Sequence, residues 1–249
     1  MQVEHAHVSL QGRRDDNQDR AAIDVGAEAV LLVVIDGMGG HSEGALAAET
    51  SLQLLLQAFR EIPKPLFDPL GFLHLTLGQV HDAIVQLGLK LPLEQRPRAT
   101  CAVCLVQGDH AYWAHIGDSR IYHLRTGAVV ERTRDHSHVE FLIREGVITA
   151  DQAQAHPMRN YVECCVGGEP ILPEMSIISG RQLLAGDVLL VCSDGLWGHM
   201  DDAALAGGLQ DASIDITTAL KQLATNAVTA NGASSDNTTA AALRWLAPA

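Results

Sequence analysis

The order of apolar and polar positions divides the chain into short β segments and amphipathic helices. Residues 20–25 and 30–36 read as two strands joined by a turn at Gly26. The second is apolar almost throughout until Asp36, so burial on both of its faces is expected. After the glycines at 37, 39 and 40, Ser42 is placed to cap a helix running to about Ile62. A second helix is expected over residues 68–88, beyond the break made by Pro63 and Pro65. Three strands follow at 99–107, 110–116 and 119–124, with turns at Asp109 and at Gly117-Asp118.

Ser137-x-x-Glu140 has the form of a capping box opening a short helix that Gly146 stops. Residues 150–170 are mixed in character and read as a loop-rich insertion. Strands resume at 174–179 and 187–193, a helix fits 213–230, and a last strand fits 237–246. Strands outnumber helices, and many are hairpin neighbours. That predicts an α+β fold with an antiparallel β core of two sheets packed face to face, carrying helices. Neither an internal repeat nor a linker divides the chain, so residues 1–249 are expected to form a single domain with a flap at about 145–170.

Composition narrows the partners. Apolar residues make up 47% of the 249 and charged residues 19%, the balance of a folded chain. Thirty acids against 17 bases give a net charge of -13, which repels nucleic acid and anionic membrane, so neither is an expected partner. The apolar runs are too short for membrane insertion, and the first ten residues lack a basic leader followed by an apolar stretch. The five cysteines are an odd count without framework spacing, and the expected location is the reducing cytoplasm. Cys101 and Cys104 form a CxxC in a strand-like stretch, where residues three apart face opposite ways. Core packing is the better account of them than zinc.

The acids fall in a pattern. Asp36 ends a buried strand before Gly37-Met38-Gly39-Gly40, and Asp118 sits in the turn of HIGDSRIYHL. Asp194 ends VLLVCSD before Gly195, Asp236 precedes Asn237 and TTAAAL, and Asp19 stands in DDNQDR ahead of a strand. One such aspartate is most often a turn residue. Several, each delivered by a separate strand end and usually beside glycine, point to hard oxygen ligands for Mg²⁺ or Mn²⁺. A cation pair bridged by carboxylates implies phosphate chemistry, and Arg14 offers a planar fork for a phosphate dianion.

Arg14-Asp15-Asp16-Asn17-Gln18-Asp19, Asp36-Gly37-Met38-Gly39-Gly40-His41, Gly117-Asp118-Ser119-Arg120, Ser193-Asp194-Gly195-Leu196 and Asp236-Asn237-Thr238 occur in this order. Together they resemble the motifs of the metal-dependent serine/threonine protein phosphatases of the 2C type, in their compact bacterial form, over residues 5–245. The resemblance implies a central antiparallel β sandwich flanked by helices on both sides, a four-layer α-β-β-α arrangement. It implies that Asp36 bridges two central Mn²⁺ or Mg²⁺ ions, Gly37 adds its carbonyl, and Asp194 and Asp236 complete the first site. Asp118 would hold a third ion with Asp194, Asp19 would act through water, and Arg14 would bind phosphate. Arg14 and Asp36 are thus the expected catalytic residues.

The implied reaction is one-step hydrolysis of phosphoserine and phosphothreonine by a hydroxide held between the metals. The implied partners are phosphorylated proteins, a cognate serine/threonine kinase or its substrates among them. The chain departs from the family pattern at Gln18, where an acid is common, and at Met38, where some eukaryotic members carry a proton-donating histidine. It departs again near Cys164-Cys165, where a flap arginine is usual. His41 is a weaker candidate proton donor. His136, in a DHS stretch, reads as support for the following helix. Two alternatives stay open: a non-catalytic binding module, which eroded ligands would favour, and a phosphatase of small metabolites.

Overall fold

A computed structural model describes residues 1–38, 42–211 and 213–247. Gly39, Gly40 and His41 lie outside the described residues. The chain opens with β1 (Gln2–Leu10), β2 (Asp19–Val25) and β3 (Ala29–Met38), then α1 (Ser42–Glu61) and α2 (Pro69–Gly88). β4 (Arg98–Ala99), β5 (Cys101–Gln107), β6 (His110–Ile116), β7 (Arg120–Arg125) and β8 (Ala128–Arg132) follow. After α3 (His138–Arg144) and α4 (Ala150–Gln154) come β9 (Val166–Gly167), β10 (Ser176–Gln182) and β11 (Val188–Cys192). α5 (Asp194–Trp197), α6 (Asp202–Gln210), α7 (Ile216–Asn231) and β12 (Thr238–Ala247) complete it.

The strands form two sheets with antiparallel pairing throughout. One runs β1-β12-β11-β7-β8; the other runs β10-β6-β5-β3-β4-β9, with β2 also paired to β3. Side-chain alternation explains why they stack. In β3, Val30, Leu32 and Val34 point into the layer between the sheets. Leu31, Val33 and Ile35 point the other way, onto Leu55, Phe59, Leu73 and Leu77 of α1 and α2. β12 divides likewise: Ala241, Leu243 and Trp245 fill the inter-sheet layer, while Ala240 and Ala242 face Leu220, Leu223 and Ala224 of α7. Three apolar layers thus separate four layers of backbone, helix–sheet–sheet–helix, as expected.

The apolar run of β3 is buried on both faces, as its sequence requires. Several elements depart from the sequence reading: β8 is unexpected and α4 falls in the stretch read as loop-rich, and three more have a plain physical reason. β1 goes unrecognised because only Ala6 along it is fully buried; it is an edge strand, and its outward Gln, His and Ser positions mask the alternation. α6 is hidden by two adjacent glycines, yet Leu205, Ala206 and Leu209 bury it and Asp201 caps it. The 213–230 helix begins at Ile216, because Asp215 accepts from the Thr218 amide and fixes its first turn.

Candidate functional site

Strand pairing gathers the acids. Asp19 and Asp36 are direct cross-strand partners in the β2–β3 ladder, an arrangement of like charges that costs stability. Asp118 lies in the β6–β7 turn, and Asp194 opens α5 immediately after β11. Asp236 stands two residues ahead of β12, which pairs with β11, itself paired with β7. The result is a cavity of about 450 Å³ lined by Arg14, Asp36, Gly37, Asp118, Asp194 and Asp236, with Met38, Asn160, Val162 and Asn237. Asp19 stands behind this wall, 2% exposed, accepting a hydrogen bond from Ser193 Oγ at 2.8 Å.

Charge is the site's dominant property. Burial, then the neighbouring carboxylates Asp19, Asp194, Asp118 and Asp236, lift the Asp36 pKa well above the ordinary value. Asp194 is lifted in the same way, by burial and then by Asp118, Asp236 and Asp19. Asp118 rises to about 7, through burial and then Asp135. Asp19 rises to about 6, through burial and then Asp236, against the hydrogen bonds from Ser193 and Thr239. Within the protein the counter-charge at the cavity is Arg14, whose Nη2 donates to Asp236 Oδ2 at 2.5 Å while its side chain stays 61% exposed. One guanidinium does not balance the six aspartates that line the cavity, Asp15 and Asp16 among them, with Asp19 behind.

These observations test the fit of a divalent cation. The donors are carboxylate oxygens; Cys101, Cys104 and Cys192 are buried in the apolar layers, where burial pushes their thiols up. Among the described residues no three Asp, Glu, His or Cys side chains are drawn into a closed cation shell. Hard, oxygen-seeking cations such as Mg²⁺ or Mn²⁺ suit the carboxylate set.

Backbone contacts hold the acids in place. Asn237 Oδ1 accepts from the Gln18 amide at 2.9 Å, and its Nδ2 donates to the carbonyls of Gln11 and Asp16, so one amide side chain clamps the loop carrying Arg14. The glycines beside the aspartates serve close approach: a Cβ on Gly37 would meet the Gly44 carbonyl, and one on Gly195 the Asn237 carbonyl. The Thr100 amide donates to the Asp36 carbonyl at 2.8 Å. Trp197 Nε1 donates to the Asp118 carbonyl at 3.0 Å while its ring carries the Arg120 guanidinium 3.4 Å above its centre.

The structure brings Arg14, Asp36, Gly37, Asp118, Asp194 and Asp236 to one cavity and puts Asp19 just behind it. Met38 lines the cavity; Cys164 and Cys165 are not among its lining residues. Ser137, not His136, caps α3; His136 bonds Gly117 instead. The clamping by Asn237, Thr100 and Trp197 went unforeseen. Asn237 had a signal in its place beside Asp236, whereas Thr100 and Trp197 act through main-chain partners that sequence spacing does not reveal.

Comparison with known proteins agrees with this geometry. Residues 9–230 match the family model described as Protein phosphatase 2C. The serine/threonine protein phosphatase PstP of Mycobacterium tuberculosis is 34% identical over 198 residues, covering 79% of this chain; the match spans 37% of the length of that relative. The solved serine/threonine phosphatase of S. agalactiae superposes with a TM-score of 0.89 at 27% identity, covering 98% of this chain and 99% of that one. The catalytic domain of PstP, solved with two manganese ions, superposes with a TM-score of 0.82 at 28% identity over 98% of this chain and 99% of that one. With the ordered motifs, the four-layer sandwich and the ring of carboxylates in agreement, this chain belongs to the protein phosphatase 2C family.

Proposed function

We propose that this chain is a protein serine/threonine phosphatase that hydrolyses phosphoserine and phosphothreonine using Mn²⁺ or Mg²⁺. The observation that carries the reading is the convergence of aspartates from five separate chain segments, with Arg14, on one cavity. Asp36, Asp194 and Asp236, with the Gly37 carbonyl, are the residues that would hold two central ions, and Asp118 with Asp194 a third. Divalent cations, when bound, activate water and neutralise phosphoryl oxygens. The chain's own part is positional and electrostatic. Arg14, mostly exposed at the mouth, presents its fork to the phosphate dianion. Asp19, fixed by Ser193, backs the carboxylate wall from the buried side.

The names of the relatives support a phosphoprotein substrate; a cytoplasmic location, and a cognate kinase or its substrates as partners, belong to the same proposal. Among the described residues no helix is long and apolar enough to cross a membrane. The deciding experiment measures release of phosphate from a phosphothreonine peptide and from a sugar phosphate, with Mn²⁺ and after exhaustive chelation. Turnover of the peptide, faster than of the sugar phosphate and abolished by chelation, is expected; turnover that survives chelation overturns the reading. Asp36→Asn and Asp236→Asn should each lower kcat about a hundredfold or more, the scale of one lost electrostatic contact to developing charge.

A further inference from the structure

The turn that carries Asp118 is held by a residue that does not line the cavity. The Gly117 amide donates to His136 Nδ1 at 3.2 Å, and the Gly117 carbonyl accepts from the His136 amide at 2.9 Å. Accepting at Nδ1 fixes the tautomer, so the proton sits on Nε2 and is donated to Ser176 Oγ of β10 at 2.8 Å. Burial lowers the His136 pKa, which keeps Nδ1 bare. The ring stacks on His115 with centroids 4.6 Å apart, and His115 Nε2 in turn meets the Arg134 carbonyl at 2.8 Å.

The same short segment grips the flap. The His136 carbonyl accepts from the Glu163 amide at 2.8 Å, Ser137 forms a bridge with Val162, and the His138 amide donates to the Tyr161 carbonyl at 3.0 Å. Asn160 and Val162, in the strip so gripped, line the cavity. One residue therefore bonds both the turn presenting Asp118 and the strip forming another wall of the same cavity.

We propose that His136 is a positioning residue that ties the Asp118 turn, through its Nδ1 acceptor, to the 160–163 strip, through its main-chain carbonyl. Losing the acceptor frees the turn and, with it, residue 136, which weakens cation binding at Asp118 and loosens the flap. This rests on the reading of Asp118 as a cation ligand. Without the acceptor, the buried Gly117 amide is left unpaired and the turn relaxes towards other partners.

Two variants of the full chain separate acceptor from ring. His136→Asn places Oδ1 two bonds from Cβ, as Nδ1 is, and loses the ring. His136→Phe keeps the ring and its stacking and loses the acceptor. The readouts are calorimetric titration with Mn²⁺ alone and the rate of trypsin cleavage after Arg159 in the flap. His136→Phe should bind Mn²⁺ at the Asp118-dependent site about fivefold more weakly and be cut about fivefold faster, the worth of one buried hydrogen bond. His136→Asn should stay within about twofold of wild type on both. A wild-type His136→Phe, or His136→Asn impaired as much as His136→Phe, overturns the proposal.

Should His136→Phe fail to fold, Ser176→Ala decides, because it frees Nε2 and lets the ring turn: weaker binding and faster cleavage support the proposal, and wild-type values overturn it. Asp118→Asn separates the two levels of inference. An isotherm unchanged by Asp118→Asn removes the reading of Asp118 and this proposal with it, whereas a clear Asp118 effect beside a wild-type His136→Phe removes the proposal alone.

Discussion

Aspartate behaves in opposite ways at the two ends of this molecule, and the difference lies in its partners. Burial pushes the Asp187 carboxyl up, but the Arg125 fork, the Leu184 amide and His123 Nε2 overcome it and leave the pKa below the ordinary carboxylate value. Asp19, Asp36, Asp118 and Asp194, buried and facing one another, are pushed the other way. Asp187→Asn should therefore cost about 2 kcal/mol at neutral pH, because it leaves a buried network short of its charge. The folded-state pKa is depressed, so this stability is present above the unfolded value and disappears as pH falls through the folded one. The penalty should be flat from pH 8 to pH 5 and shrink below about pH 4, which denaturant melts across pH will show. Gly195→Ala tests the close approach to Asn237. The added Cβ overlaps a main-chain oxygen that cannot rotate away, so a loss of about 2 kcal/mol, with displacement of Asp194 and a fall in kcat, is expected from melting and turnover assays. The aspartates were legible in the text because each stands at one end of a strand, and Asp36, Asp118 and Asp194 stand beside a glycine. The clamping roles of Thr100 and His136 were not, since what they hold is backbone far away in sequence, Asp36 and Gly117, and Asn237 was legible only as a neighbour of Asp236, not as the clamp on Gln18.

Elements were legible where burial was symmetrical or caps were explicit. β3, apolar on both faces, and α3, with Ser137 at its start, could be read directly; β1, at a sheet edge, and α6, with paired glycines, could not. What joins elements around the site is not written in periodicity at all. Arg120 on β7 meets Asp135 with two hydrogen bonds of 2.8 Å and lies over the Trp197 ring of α5, binding strand, helix and the 133–137 segment together. Arg120→Lys keeps the charge and loses both the fork and the planar stack. A cost of about 2 kcal/mol in denaturant melts is expected, larger than the sub-kilocalorie effect usual for a surface pair, since both partners are largely buried. A melt unchanged by Arg120→Lys would mean that the stack and fork contribute nothing beyond charge.

At the scale of the molecule, a net charge of -13 and a cavity where Asp36 and Asp194 are held well above the ordinary carboxylate value leave electrostatic strain that cations relieve. Mn²⁺ at a hundredfold excess over its dissociation constant should stabilise the fold by about 2.7 kcal/mol through linkage. In a chain of this size that corresponds to a rise in Tm of roughly 7 °C, absent in Asp36→Asn and reversed by chelator. The two-sheet core was legible because strands outnumber helices and many are hairpin neighbours, while the four layers came with the family resemblance. The convergence of five segments was not, because it depends on which strands neighbour which.

That neighbourhood has a temporal consequence. β12 is an interior strand, inserted between β1 and β11, and Asp236 arrives just ahead of it. While the ribosome is still making this part of the chain, β1 and β11 have no common neighbour and the cavity lacks one of its acids. Asp236 joins the other acids only once β12 has paired with β11, so a nascent chain that stops short of residue 236 carries Asp19, Asp36, Asp118 and Asp194 without the full set.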